Sequence, residues 1–503
     1  MTDSILKIDK PRLDKLLAAA RNRASELGRP VLATLTQRIA HLDGLAALEN
    51  VSRAAMENEQ VASDVDDGRM FWACPRDGFS LTGIGAVATF APEGSDRFAK
   101  VESSWSALLD GAVADNPDDS VQGLGPILMG GFAFESDTAE SGQWAGFGSA
   151  HMILPRLLIT TAHDDCWLTV ATIVDVSGNS GVDPESVDAI LTAATSTIDH
   201  ADSDRSADST EDLFFTESRT AADWRSLVSG AVSEICSGEM QKVVLARDVH
   251  VTAADEIDVF TALKHLRQEH RNSFVFGYWR GDTAFVGASP ERLARLYGRE
   301  VRASSLAGTE KRGATPEEDA ALSASLLSSA KDLAEHKAVR DSLFDALSEI
   351  SEDVEAAETP SLLTLPNLHH LHTPVRARLR EGHSLLDVVA RLHPTPAVGG
   401  TPREAALRFI RDNEKLDRGW YAAPIGWVGR ESGEFAVALR SAVIEGSEAT
   451  LFAGCGIVAD SDPDLEYKES VLKLRPMQAA IAAAIADRRS DLTEVDAITE
   501  VSR

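Results

Sequence analysis

Two periodicities alternate along the chain. Apolar residues recur at helical spacing at Leu13, Leu16, Leu17 and Ala20, and again at Trp224, Leu227, Val228, Val232 and Ile235 within Ala221 to Cys236; spacings of three and four residues predict amphipathic helices. A long helical segment is expected from Glu317 to Ile350. Short apolar and β-branched runs predict strands at residues 30–36, 126–134, 156–160, 167–174, 243–246, 274–278 and 284–287. Residues 69–72 and 79–88 read as a hairpin around Pro75 and Gly78, and residues 425–428 and 435–439 as a second hairpin. Thr401-Pro-Arg-Glu opens a helix as a capping box. Leu451 to Ala453 predicts a strand, Gly454 and Gly456 a turn, and Asp462-Pro463 the N-cap and first position of a helix. Leu465, Leu472 and later Ala and Ile residues are expected to supply that helix's buried face. No internal repeat is visible. The mixture predicts a large α/β (α+β) body with antiparallel strands in its first third, not a nucleotide-binding βαβ series. Residues 200–212 are acidic, serine-rich and aperiodic, which predicts an exposed connection. The expected division is 1–199 as a strand-rich region contributing to a shared core, 200–215 as a linker and 216–490 as the catalytic region.

Composition narrows the class. With 44% hydrophobic and 25% charged residues the chain reads as a globular protein, and no apolar run approaches the length of a bilayer span. The N-terminus lacks the apolar core of a signal peptide, and four scattered cysteines without a CxxC pair suggest reduced thiols in a cytoplasmic protein. A net charge of −30 argues against nucleic acid as a partner. Only 12 of the 49 basic residues are lysine, and scarce lysine with abundant acid suggests a source adapted to high salt. An anionic substrate would need a locally positive site in such a protein.

Several familiar motifs fail. Gly308 to Gly313 imitates half a phosphate loop, but Ala-Thr follows where Lys-Ser/Thr is required. His369, His370 and His372 have no HExxH or cysteine partners, and no GxSxG is present. Other positions carry two readings. Glu466, Glu469 and Lys473 share one helical face, either as solvated ion pairs or as a holder for a metal and an anion. Asp332 and Glu335 form a second pair at the same spacing. Two helices offering carboxylates could share one hard cation, for which Mg²⁺ is suited. Lys242 at the start of an apolar strand either snorkels outward or acts as a base. Glu291, beside Pro290 after a strand, is either a surface carboxylate or a general acid.

Taken in order, KVVLAR (242–247), GASPERL (287–293), LAGT (306–309), KDLAEH (331–336), HPTPAVGGTP (393–402), YAAPIGW (421–427), FAVALRSA (435–442) and AGCGIVADSDPDLEYKES (453–470) resemble the chorismate-utilising enzymes over residues ~220–478. That resemblance implies an anthranilate/aminodeoxychorismate synthase-like fold, with large antiparallel sheets forming a β-sandwich-like core flanked by helices. Within the family, anthranilate synthases usually have Gln at the place of Lys242. Aminodeoxychorismate synthases usually carry a lysine where Ala307 stands, and salicylate and anthranilate synthases tend to have Thr where Ala397 stands. All three positions are similar to those of isochorismate synthases. The implied reaction adds water at C2 of chorismate and removes the C4 hydroxyl. Lys242 would be the base toward water and Glu291 the acid toward the leaving hydroxyl. Glu335 and Glu469 would hold Mg²⁺, with Asp332 and Glu466 as neighbouring carboxylates bonding to metal waters. Tyr421, Arg440 and Lys473 match positions that bind the enolpyruvyl carboxylate, to which Gly454 and Gly456 would offer backbone amides. Gly308 and Thr309 match a turn near the ring carboxylate, and His370 a histidine near the ring hydroxyl. Gly399, where Cys or Ser is more frequent, and Glu310, where Arg is frequent, depart from the pattern. The alternatives are a salicylate synthase, a siderophore-pathway isochorismate synthase, an amidotransferase-dependent aminating enzyme and a non-catalytic chorismate binder. No membrane or obligatory protein partner is expected, and a monomer is the default. The segments at 33–37 and 78–85 look more like menaquinone-branch enzymes.

Overall fold

The computed structural model describes residues 7–65, 68–116, 121–136, 142–181, 183–196, 213–364 and 368–501. The expected connection at 200–212 lies outside them, while Leu213–Glu217 is a strand paired with Lys242–Ala253. The fold is mixed, with helices around an extensive antiparallel sheet, as expected. Among the described strands, the pairing of Val31–Ile39 with Val113–Asp115 is the parallel exception. Strands from the first third pair directly with strands from the rest: Arg69–Cys74 with Phe274–Arg280, and Leu128–Phe132 with Pro424–Val428.

Period-two alternation divides the core in two. Along Phe274–Arg280, Phe274, Phe276 and Tyr278 join a cluster with Trp72, Phe132, Phe285, Trp420 and Phe435, whereas Val275 and Trp279 join another. Arg97–Leu109, Ala221–Ser237 and Leu385–Leu392 contribute to the first cluster. Lys10–Leu27, Gly44–Glu57, Val259–Glu269 and Pro463–Val501 contribute to the second. Cys74, Cys166, Cys236 and Cys455 are free thiols. Among the described residues, no helix is long and apolar enough to cross a membrane.

Four local expectations change. The segment 317–350 is two helices, Pro316–Ser328 and Ala330–Ser348, because Ser329 leaves helical geometry and caps the second. Thr401 is not a helix cap. Its backbone belongs to Gly400–Thr401, which pairs with Val243 and Lys242, so Pro402 becomes the boundary of Arg403–Asn413 without a side-chain cap. Gly454 and Gly456 lie inside the strand Glu448–Ile457, and the turn comes after it, where Val458 N donates to Ser461 Oγ at 3.1 Å. Leu465 and Leu472 are 63% and 51% exposed; the buried stripe is Ser470, Leu474, Met477, Ile481 and Ile485. Five residues separate Leu465 from Ser470, a rotation of about 140° around the helix.

The expected N-cap does form. Asp462 Oδ1 accepts from the backbone N–H groups of Asp464 and Leu465 at 2.9 and 3.0 Å. Asp462→Ala should therefore destabilise the protein by about 1 kcal/mol, read as a lower midpoint in chemical denaturation.

Candidate active site

The site starts from one strand pair. Lys242–Ala253 runs antiparallel to Glu448–Ile457, with Val244 opposite Gly456 and Ala246 opposite Gly454. Val244 N donates to Gly399 O at 3.0 Å, and Ala246 N donates to Glu414 Oε2 at 2.8 Å. Both residues thus turn their backbone groups away from the partner strand. These are non-hydrogen-bonded pairs, so the two glycines turn theirs to the opposite edge. On that edge the neighbouring strand Ser441–Glu445 pairs only as far as Leu451. Lys473 Nζ occupies it, donating to Gly454 O at 2.9 Å. What the glycines supply is room. A Cβ on Gly454 would stand 2.9 Å from the Tyr421 hydroxyl, and one on Gly456 would stand 2.9 Å from Lys242 Cε and 3.3 Å from its Nζ.

Lys242 is buried, with 9% of its surface exposed. Tyr421 is buried and stacks on Phe452 with ring centroids 5.3 Å apart. Burial keeps its phenol above the ordinary value. Ala422, the next residue, and Arg440 both have left-handed backbones, with φ of 60° and 50°. Such conformations are costly for non-glycine residues and cluster at functional sites. Ala438 O holds Ala422 N at 2.9 Å, and Arg440 O holds Ala288 N at 3.1 Å.

Glu291 sits between the strands Thr283–Ser289 and Arg292–Tyr297. Its backbone is fixed on both sides: its N–H donates to Ser289 Oγ at 3.2 Å, and its carbonyl accepts from Val437 N at 3.1 Å. Burial pushes its carboxyl up to about 7, against the pull of Lys242, Arg440 and Lys473. The same three cations therefore converge on the residue expected to be the acid.

Glu466, Glu469 and Lys473 do share one half-buried face of Pro463–Val501. Lys473 pairs with Glu469 at 2.6 Å, and Ser461 Oγ donates to Glu466 Oε1 at 2.8 Å. Burial opposes ionisation of Glu469, but Lys473 and Arg440 outweigh it and hold the carboxyl below its usual value. Cys455, Glu466 and Glu469 offer ligand atoms within 4.8 Å of one another. Burial, then the neighbouring carboxylates, push the Cys455 thiol up to about 12. It stays protonated and donates to Glu466 O at 3.3 Å. The donors left are carboxylate oxygens, which fit a hard cation such as Mg²⁺ and not a thiophilic metal.

The helix Ala330–Ser348 carries Asp332 in its first turn, bonded through its N–H and its carboxylate to the Ser329 hydroxyl. Gly308, in a bulge at φ +79°, leaves room for it: a Cβ there would lie 3.1 Å from Asp332 Cβ. Glu335 follows on the same helix; its side chain lies outside the described residues. Thr309 and His370 are cross-strand partners, with Oγ1 and Nδ1 2.9 Å apart. Burial, then Arg440 and Lys473, push His370 down to about 4, so its ring is neutral near pH 7. Ala397 is half-buried in the turn before Gly400–Thr401, where Val398 N and Gly399 N both donate to Thr395 O. Its connection to the cluster runs through the backbone, since Gly400–Thr401 pairs with Val243 and Lys242.

Sequence reasoning passed over Glu414 and Arg418, the buried ion pair that reaches this strand. Their four-residue spacing was the available signal, but charges at that spacing are more often on a surface. It also missed Ser329 and Ser461, whose hydroxyls hold Asp332 and Glu466.

The family described as chorismate binding enzyme matches residues 17–482. The isochorismate synthase MenF of Bacillus subtilis is 35% identical over 470 residues, covering 92% of this chain and 96% of that protein. The salicylate biosynthesis isochorismate synthase of Pseudomonas aeruginosa is 36% identical over 469 residues, covering 92% and 93%. Among solved structures, MenF, the menaquinone-specific isochorismate synthase from Escherichia coli, has the same fold at TM-score 0.70 and 23% identity, over 93% of this chain and 99% of that one. Anthranilate synthase component I from Streptococcus pneumoniae does so at TM-score 0.66 and 23% identity, over 79% and 92%. With its family matched from residue 17 to 482, this chain belongs to the chorismate binding enzymes.

Proposed function

We propose that the protein isomerises chorismate to isochorismate. The observation that carries this reading is Glu291: a carboxyl raised to about 7 by burial although Lys242, Arg440 and Lys473 all act on it. A protonated carboxylic acid among cations is what departure of a hydroxide requires. As the free amine, Lys242, buried beside Gly456, takes a proton from water as its oxygen bonds to C2, while Arg440 and Lys473 remain the cations of the site. The ring double bonds shift, the C4–O bond breaks, and Glu291 gives its proton to the departing oxygen. One water enters and one leaves, so the balance is an isomerisation.

Arg440, Tyr421 and Lys473 bind the enolpyruvyl carboxylate, Arg440 through its planar fork. The amides of Gly454 and Gly456 face the same edge. Gly308 and Thr309 border the ring carboxylate, and His370 serves the ring hydroxyl as a neutral group. Glu469 and Glu335 would hold Mg²⁺, with Glu466 and Asp332 bonding to its waters. The ion would supply positive charge against the ring carboxylate. The small Ala397 favours release of isochorismate over onward loss of pyruvate. The names of the relatives support the same product, and the menaquinone branch in particular. A cytoplasmic monomer adapted to high salt completes the reading, supported by the free thiols and the charge of −30. Residues 216–490 are read as the chorismate-binding region, with 1–199 adding strands to a common core.

Three outcomes follow. Incubated with chorismate and Mg²⁺, the protein should form isochorismate without salicylate or pyruvate; Lys242→Ala should abolish turnover, about 10²-fold or more, while chorismate binding persists by calorimetry. The second concerns pH. In the folded protein Glu291 loses its proton near 7 instead of the ordinary 4.5. Its acid form is therefore full below that pH and lost above it. The kcat/KM profile should fall as pH rises through about 7, and Glu291→Gln should remove that limb. The same shift makes this group's contribution to stability decline between pH 4.5 and about 7, since the folded state binds the extra proton. Third, chelation of divalent cations should stop product formation and added Mg²⁺ restore it.

A further inference from the structure

The outer edge of the strand Lys242–Ala253 has a gap. Leu213–Glu217 pairs with residues 249–253, and Gly400–Thr401 pairs with residues 242–243. Among the described residues no strand borders 244–248 on that edge. Two side chains supply hydrogen-bond partners there, at 244 and 246. Glu414 Oε2 accepts from Ala246 N at 2.8 Å. Arg418 donates from Nη2 to Val244 O at 2.7 Å and from Nη1 to Val398 O at 3.1 Å. The two grip each other through Nε to Oε1 and Nη2 to Oε2, both at 2.6 Å, with side chains 0% and 3% exposed for Glu414 and Arg418. The guanidinium also lies over Phe134, 4.3 Å from the ring centroid. The Arg418 carbonyl accepts from Tyr421 N at 2.8 Å.

Each of the contacts to backbone groups ends on or beside a residue of the site. Val244 and Ala246 stand opposite Gly456 and Gly454 and follow Lys242 on its strand. Val398 follows Ala397, and Tyr421 hangs on the Arg418 carbonyl. As a means of stability alone a buried ion pair is a poor choice, because desolvating two ions consumes most of what their attraction returns. An apolar pair of the same volume would fill the space. It could not accept from Ala246 N or donate to Val244 O and Val398 O, and those three bonds fix the strand, the turn and the tyrosine relative to one another.

We propose that Glu414 and Arg418 are positioning residues, a side-chain substitute for a missing strand that sets where Lys242 and Tyr421 stand toward the substrate. This rests on the reading of the site as a chorismate isomerase. Three variants test it: Arg418→Met, Arg418→Lys and the double variant Glu414→Gln with Arg418→Met. Arg418→Met strands a buried carboxylate and should lose thermal stability. The double variant removes both charges and should recover most of the thermal midpoint, yet keep kcat about 10- to 100-fold low with KM little changed. Arg418→Lys keeps the charge beside Glu414 but cannot reach three acceptors in one plane, and should show the same split with a smaller loss of midpoint. A purely structural pair predicts that turnover returns with stability. A folded double variant with wild-type kcat overturns the proposal, as does failure of all three variants to fold, which would make the pair a folding element only. Wild-type protein that leaves chorismate unchanged in the same assay would instead sink the functional reading.

Discussion

Where Lys242–Ala253 meets Glu448–Ile457, two successive non-hydrogen-bonded pairs leave four residues facing outward with their backbone groups, and the site depends on that register. On one edge, Val244 and Ala246 take partners from a turn and from a buried ion pair. On the other, Gly454 meets Lys473. A slip of one residue would exchange inward and outward groups along both strands. It would bury the Gly454 carbonyl in the ladder, detach Lys473 and put a side chain where Lys242 or Tyr421 now fits. The glycines and the register are one constraint. Only residues without Cβ allow the lysine and the tyrosine to approach the strand pair this closely.

From that register follows a separation of two carboxyls that share the same cations. Glu291 and Glu469 both feel Lys473 and Arg440. Glu469 has Lys473 in contact at 2.6 Å, and contact outweighs burial. Glu291 has the cations at longer range, and burial outweighs them. One carboxylate is thus ionised and able to face a cation, while the other holds its proton near neutrality. The difference comes from distance within one cluster, not from residue type.

Much of the fold was readable because it is local. Alternation marks the strands that build the two faces of the core, and Asp462-Pro463 marks the start of the last helix. The errors share a cause. Gly454 and Gly456 look like a turn in sequence, which shows a missing side chain but not the neighbour that needs the room. Leu465 and Leu472 offer an apolar pair at helical spacing, but the stripe that joins the core is Leu474, Met477, Ile481 and Ile485, on another side of the helix. Ser329 resembles one more polar residue in a long helical pattern, although its backbone ends one helix and its hydroxyl starts the next and holds Asp332. Most of the site positions came from ordered motifs shared with a family. Physical reading of the residues supplies pairs and spacings, but cannot join Lys242 to Gly456 across 214 positions or Glu291 to Arg440 across 149.

The same limit explains why Glu414 and Arg418 went unnoticed, and it bears on the protein's charge. A chain at −30 has no general attraction for a dianionic substrate. Its positive groups have to be withdrawn from the acidic exterior and concentrated, as Arg440 and Lys473 are, while the buried Arg418 is already committed to Glu414. That commitment matters. An uncompensated guanidinium buried beside Tyr421 would add positive charge to the site. By neutralising it locally, Glu414 lets the arginine contribute hydrogen bonds and shape without adding net charge. The basic groups that act on Glu291 are Lys242, Arg440 and Lys473.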